Sequence, residues 1–126
     1  MFVANRMAKN PITVTPETKV DAARELMKKH HFRRLPVVDE DGRLVGFLSD
    51  RDIMRVSPSP ATTLSRYEIT SLLAKMRIED IMQKNVVSVN EDATIEEAAL
   101  IMYNHKIGGL PVISSVGVVV GVITET

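Results

Sequence analysis

The chain has no cysteine and no tryptophan, and only two tyrosines and three phenylalanines among 126 residues. Without cysteine there is neither a disulfide framework nor a thiolate nucleophile, and a reducing cytoplasm is a compatible setting. With aromatics at 4%, any core has to be filled by Val, Ile, Leu and Met. No apolar run approaches the roughly 20 residues that cross a bilayer. The N-terminus lacks a signal-like apolar stretch, so a cytoplasmic protein with no membrane contact is expected. Charge of one sign is missing too: 16 Lys/Arg balance 16 Asp/Glu, which argues against a general nucleic-acid binder. There is no Gly-x-Ser-x-Gly elbow and no Walker-type loop, and Ser49 has no His base in its motif, so no enzyme is expected. Neither His30 nor His105 has an acid or second His at ligand spacing, so no metal is expected.

What the chain does have is a repeat. Sliding it by 75 residues lays 7–51 on 82–126 without a gap, with 13 identities over 45 positions. Met7 meets Met82, Val14 meets Val89, Met27 meets Met102, and His30 meets His105. "LPV" (35–37) meets "LPV" (110–112), and Gly42, Val45 and Gly46 meet Gly117, Val120 and Gly121. Turn glycines, a proline and apolar spacing are preserved together, the mark of a duplicated unit. We expect copy one over 1–57, a linking loop and helix over 58–77, and copy two over 78–126. The copies differ in charge. Copy one (7–51) has nine Lys/Arg and seven Asp/Glu, and copy two (82–126) has two and five.

Each unit reads as strand, helix, strand, strand, helix. "ITV" (12–14) is β-prone after Pro11. Val20, Ala23, Leu26, Met27 and His30 recur at helical spacing. "LPVVD" and "RLVGFLS" flank the turn "EDG" as a hairpin, and a helix should run from Asp50 to Arg55. Copy two repeats this with "VVSV" (86–89), a helix through Ala98 and Met102, and "LPVIS" with "GVVVGVIT". The strand–helix–strand part implies a crossover and an α/β (α+β) fold. Each sheet is too small to bury both faces, so the two units should stack through their sheets around one core. In the link, "SRYE" (65–68) reads as a capping box. It is followed by an apolar stripe of Ile69, Leu72, Leu73 and Met76.

The stretches "LMKKHHFRRLPVVDEDGRLVGFLSDRDI" and "IMYNHKIGGLPVISSVGVVVGVITET", with "DIMQKNVVSV" opening the second copy, resemble the CBS domain in tandem, a Bateman module. The linker is similar to that of acetoin-utilisation-type CBS proteins. The resemblance implies a regulatory module that requires no cofactor and binds an adenine nucleotide or adenosyl compound (ATP, ADP, AMP or S-adenosylmethionine). It also implies a homodimer and a partner domain that can follow residue 126. The family's carrier motif, Gly-apolar-apolar-Ser/Thr-x-x-Asp, falls on Gly46, Ser49 and Asp52, with Asp50 and Arg51 inside it. Arg33 and Arg34 take the place of phosphate-facing basic residues, and Thr13 and Pro36 would border the base. A second, weaker site would use Ser88, Pro111 and Thr124.

Other readings of the same residues stand beside this one. Ser49 to Asp52 also reads as a helix start with a serine cap and early acids. Arg33 and Arg34 also read as solvated charges. His30 and His105 suit a helix C-terminus, and Met27 and Met102 suit a core. A structural homodimerisation module without nucleotide is the rival function. In copy two Gly108, Gly109, Thr124 and Thr126 stand where copy one has Arg33, Arg34, Ser49 and Arg51. The position matching Asp52 would be one beyond Thr126. One productive site per chain is therefore expected, and the ending reads as a truncation of a longer protein.

Overall fold

A computed structural model describes residues 1–59 and 61–125. The apolar stripe expected between "TPET" and His30 becomes helix α2 (Val20–His30), after a short α1 (Val3–Arg6) and a two-residue strand β1 (Ala8–Lys9). α2 buries Val20, Ala23 and Met27, one face at i, i+3 and i+7. It stops where His31 turns left-handed at φ 58° and donates its N–H back to Lys28 and Met27. Copy two behaves alike: α5 (Ile95–His105) buries Ala98 and Met102 and ends at Lys106, φ 55°. His30 and His105 are thus the last helical residues, and His30 stacks on Phe32 with ring centroids 5.7 Å apart.

The expected hairpins form. β2 (Arg34–Val38) pairs antiparallel with β3 (Leu44–Ser49), placing Pro36 opposite Phe47. β5 (Gly109–Ile113) pairs with β6 (Val119–Thr124), placing Pro111 opposite Val122. Gly42 (φ 80°) and Gly117 (φ 86°) close the two turns in a conformation that side chains resist, which is why the repeat keeps both. The turns also meet each other: Leu44 N donates to Gly117 O and Val119 N to Gly42 O, both at 3.0 Å. The opening strands are shorter than expected. Of "ITV" only Val14 bridges, parallel to Val37, and β4 covers Val89–Asn90, not 86–89. α3 runs Asp50–Val56, and α4 (Arg66–Leu73) starts in the expected box, Ser65 Oγ accepting from Glu68 N. Leu73 is buried, but Leu72 of the stripe stands 44% exposed.

One relationship was not legible in the repeat. Each copy opens with an arm that serves the other copy. β1 joins the sheet β1-β6-β5-β4, with Ala8 opposite Val122. Gln83, one repeat later, bridges Phe47 of β3. Met1 O accepts from Ile95 N, and Met76 O accepts from Val20 N, so each arm also caps the other copy's main helix. Val3 is fully buried in copy two's core, and Ile78 in copy one's. The identities Met7/Met82 and Gly46/Gly121 are two sides of the same contact. Met82 lies across Gly46, and Met7 across Gly121, where a Cβ would collide with each sulfur.

The single stacked core expected from the sequence is two cores instead. One gathers Val14, Val20, Met27, Leu35, Leu48 and Ile53 with Leu73 and Ile78. The other gathers Val3, Val89, Ala98, Met102, Leu110 and Ile123. The reason is the arms: each supplies apolar cover to the opposite unit, so each sheet closes its own core beneath its own helix.

Candidate functional site

The first copy's motif lies where β3 hands over to α3. Ser49 Oγ accepts from Asp52 N at 3.2 Å, and Asp52 Oδ2 accepts from Ser49 N at 2.9 Å. The capping reading of these residues is therefore realised as a reciprocal box. Asp52 is also buried, at 3% exposure, and its Oδ1 accepts from Arg55 at 3.1 Å and from the Gln83 side-chain amide at 3.1 Å. A carboxylate offers about four acceptor sites, so three are already taken. Arg55 is 67% exposed and can leave for water at little cost. One ligand hydroxyl reaching Asp52 can take the remaining site, and a second would exchange with Arg55 or Gln83. Gln83 escaped the sequence reading because its counterpart in the repeat is Ala8. Only the crossing of the arms reveals it.

A cleft of about 1930 Å³ opens over this motif between the two copies. Arg33, Arg34, Pro36, Ser49, Asp50, Arg51 and Asp52 line it from copy one, and Thr124 lines it from copy two. Thr13, Ser88 and Pro111 are not in its lining. Thr13 and Ser88 are half-buried, and Pro36 and Pro111 are fully buried, each in the middle of its hairpin. Thr126, the counterpart of Arg51, lies outside the described residues.

The position of each lining residue follows from the hairpins. Asp50 N donates to Arg33 O at 2.9 Å, extending the β2–β3 ladder by one rung and holding Arg33 and Asp50 together at the rim. In copy two Glu125 N donates to Gly108 O at 3.1 Å in the same way. Although the chain is neutral, the cleft is not. Six Lys/Arg line it (Arg6, Lys9, Arg33, Arg34, Arg51, Lys106) against three acids (Asp50, Asp52, Glu125). Such a wall concentrates field and suits an anionic ligand. A smaller cleft of about 680 Å³ has the opposite character, with Glu17, Asp39, Glu40, Asp41, Glu79 and Asp80 against Lys84. It is repulsive to phosphate.

Known proteins carry the same architecture. The CBS domain family matches residues 3–59 and 78–126. A CBS domain-containing protein of Dictyostelium discoideum is 31% identical over 126 residues, covering 100% of this chain and 87% of that protein. Two further relatives are long enzymes. The chain covers 22% of an L-aspartate semialdehyde sulfurtransferase of Methanocaldococcus jannaschii at 33% identity, and 21% of an inosine-5'-monophosphate dehydrogenase of Aquifex aeolicus at 32%. Among solved structures, the CBS domain pair of protein MJ0100, in complex with 5'-methylthioadenosine and S-adenosyl-L-methionine, is 30% identical with a TM-score of 0.80. That likeness covers 99% of this chain and 90% of that one. A structure of CBSX2 in complex with AMP is 29% identical with a TM-score of 0.80, covering 98% and 90%. A putative acetoin utilisation protein of Vibrio cholerae is 31% identical with a TM-score of 0.81, covering 99% and 84%, in line with the likeness seen in the linker. Two matched repeats, the shared α/β sandwich and relatives of nearly the same length agree: this chain belongs to the CBS domain family, as a tandem pair.

Proposed function

We propose that this chain is a regulatory module that binds an adenine nucleotide or related adenosyl compound in the cationic cleft and passes its occupancy to a partner domain or subunit. The observation that carries the reading is the meeting of Ser49, Asp52, Arg33 and Arg34 in one cleft whose far wall belongs to the other copy. Asp52 is the acceptor for ribose hydroxyls, exchanging Arg55 or Gln83 for the sugar. Ser49 and Asp50 sit at the start of α3, and Arg33, Arg34 and Arg51 neutralise phosphate. Pro36 belongs to the strand beneath the ligand; Thr13 is outside the cleft lining, and its neighbours Pro11 and Ile12 border the base instead. Ser88, Pro111 and Thr124 are the residues of a second, weaker site, of which only Thr124 lines this cleft. Complexes of similar CBS pairs with AMP and with S-adenosyl-L-methionine support this ligand class.

The three sections proposed for the chain, 1–57, 58–77 and 78–126, work as one device, because the arms tie each copy's opening to the other's cleft wall. Transmission is differential binding: a ligand that favours one arrangement of the copies biases whatever is attached to them. Self-association into a homodimer in the cytoplasm completes the reading. Among the described residues no helix is long and apolar enough to cross a membrane. A thermal-shift panel of ATP, ADP, AMP, S-adenosylmethionine and a generic oligonucleotide tests the function. A rise in melting temperature with one adenosyl compound and none with the oligonucleotide is expected. No shift with any of them leaves a purely structural dimerisation module.

A further inference from the structure

With no cysteine in the chain, its seven methionines are its only oxidisable sulfur atoms. Met1 and Met54 stand exposed, whereas Met27 and Met102 are buried in the two cores. Met7, Met76 and Met82 are half-buried, and of these three only Met82 lines either cleft. Its cleft is the smaller one, of about 680 Å³, whose acids repel phosphate. On its other side the same thioether lies along Gly46 of β3. A Cβ added there would collide with Sδ and sit 3.0 Å from Cε and 3.1 Å from Cγ. Met82 also packs against the first core. The next residue, Gln83, is bonded to Phe47 through both backbone groups and to Asp52 through its side chain. One sulfur atom is thus reachable from a cleft and is also part of the contact that seats copy two's arm on copy one.

We propose that Met82 is an oxidation site, at which a peroxide loosens the arm 81–84 from β3. The thioether sulfur attacks one peroxide oxygen, the O–O bond breaks and an S–O bond forms. The departing hydroxide takes up a proton and leaves as water, so sulfur is oxidised as the peroxide is reduced. Hydrogen peroxide is small and uncharged, and the acids of the cleft do not repel it. The sulfoxide is polar, and its oxygen needs a hydrogen-bond donor. Gly46 has no side chain to offer one, and the neighbouring Phe47 N–H is already given to Gln83 O. Solvent and the Lys84 ammonium in the cleft supply one. The oxidised side chain therefore turns outward and leaves Gly46 uncovered. The arm keeps its backbone bonds to Phe47 but loses its apolar seat, and Gln83 is freer to leave Asp52. Met7 holds the matching place over Gly121 but lines neither cleft. The response is therefore one-sided: the arm bonded to Asp52 is the one whose sulfur faces a cleft.

The test treats the whole chain with graded hydrogen peroxide, without nucleotide, and maps each methionine by mass spectrometry. Met1 and Met54 should oxidise first, then Met82, severalfold faster than Met7, Met27 and Met102. Once Met82 is oxidised, hydrogen exchange at the Gln83 and Phe47 amides should quicken severalfold, and a methionine sulfoxide reductase should reverse this. Met82→Leu keeps apolar volume, so these amides should exchange as in untreated wild type both before and after peroxide. Met82→Gln places a polar group there without any oxidant and should show the fast exchange from the start. Met54→Leu should respond to peroxide as the wild type does. Oxidation of Met82 no faster than that of Met102 overturns the proposal. So does oxidised Met82 with unchanged exchange at these amides, or a Met82→Leu chain that responds to peroxide like the wild type. These readouts need no nucleotide, so they stand or fall separately from what the larger cleft binds.

Discussion

The side-chain amide of Gln83 donates to Asp52 Oδ1 at 3.1 Å, joining residues 31 apart in sequence and belonging to different copies of the repeat. The same Gln83 exchanges backbone bonds with Phe47, Phe47 N to Gln83 O at 3.0 Å and Gln83 N to Phe47 O at 2.9 Å. The arm that opens copy two is thus stitched to the strand that carries the motif of copy one, twice through backbone and once through the buried acid. The buried acid of the cleft is thereby bonded directly to the arm that follows the linker helix.

Gln83→Ala separates holding from competing. Losing one bond to a charged acceptor should destabilise the fold by about 1.5–3 kcal/mol at most, and less where water replaces the amide. The backbone pairing with Phe47 survives, so the arm stays docked. The freed position on Oδ1 should let a ribose hydroxyl bind without displacing anything. The expected result is a lower melting temperature together with a severalfold tighter nucleotide affinity. A fall in both would make Gln83 a ligand contact in its own right.

Gly46→Ala and Gly121→Ala test the crossed arms, and they should not be equal. At Gly46 the nearest atoms to a new Cβ all belong to the flexible Met82 side chain. At Gly121 the Cβ would meet the Met7 side chain and also the backbone oxygen of Ala8 at 2.9 Å. A methionine can change rotamer, but a paired strand has to shift. Overpacking of this kind costs roughly 1–3 kcal/mol. Chemical denaturation should place Gly46→Ala at the low end and Gly121→Ala at the high end. Equal losses would mean that the β1–β6 pairing does not hold in solution.

Much of this was legible because the repeat constrains it. The helix faces through Val20, Ala23 and Met27, the glycine turns, and the cap at Ser49 follow from local spacing, and local spacing is what a sequence displays. The Ser65–Glu68 box is a four-residue pattern and was equally visible. The crossing of the arms was not, because pairing Ala8 with Val122 and Gln83 with Phe47 is a choice between two copies that look alike. A duplicated sequence carries no mark of which copy an arm serves. The identities of the repeat begin only at Met7, although Val3 and Ile78 extend it as buried equivalents. Asp52 stands out in the sequence as the last position of the carrier motif, but the three donors already on it come from a backbone N–H, a residue one turn along, and the opposite copy. Only the first two lie within reach of sequence reasoning.

The asymmetry of the cleft leads to a stoichiometry. Arg33, Arg34 and Arg51 face Gly108 and Gly109 across one continuous space, and the only buried acid among the described residues is Asp52. Titration calorimetry with the tightest adenosyl ligand should therefore give one site per chain. Light scattering on the same sample should give a homodimer with or without ligand. Two sites of equal affinity per chain would contradict the reading of copy two as the weaker half.

The last prediction concerns Asp52 itself. Replacement by Ala removes the reciprocal box with Ser49 and leaves the Ser49 N–H and the Gln83 amide without their acceptor. The stability loss should exceed that of an ordinary cap, about 1 kcal/mol, because those donors face a buried position. Asp52→Asn is gentler. Its oxygen can take the place of Oδ2 and keep the bond from Ser49 N. Its NH2 then stands where Oδ1 was, and Gln83 can turn its amide to accept from it, while the exposed Arg55 swings into water. Melting temperatures should therefore fall in the order wild type, Asn, Ala. Affinity should follow a different order. Both variants lose the charged acceptor that receives ribose hydroxyls, a loss of roughly 1.5–3 kcal/mol per bond, so both should bind at least about tenfold more weakly. The decisive comparison is Asp52→Asn: nearly wild-type melting with tenfold weaker nucleotide binding supports the ribose role. Wild-type affinity in a well-folded Asp52→Asn protein would confine Asp52 to holding the β3–α3 junction and the Gln83 arm.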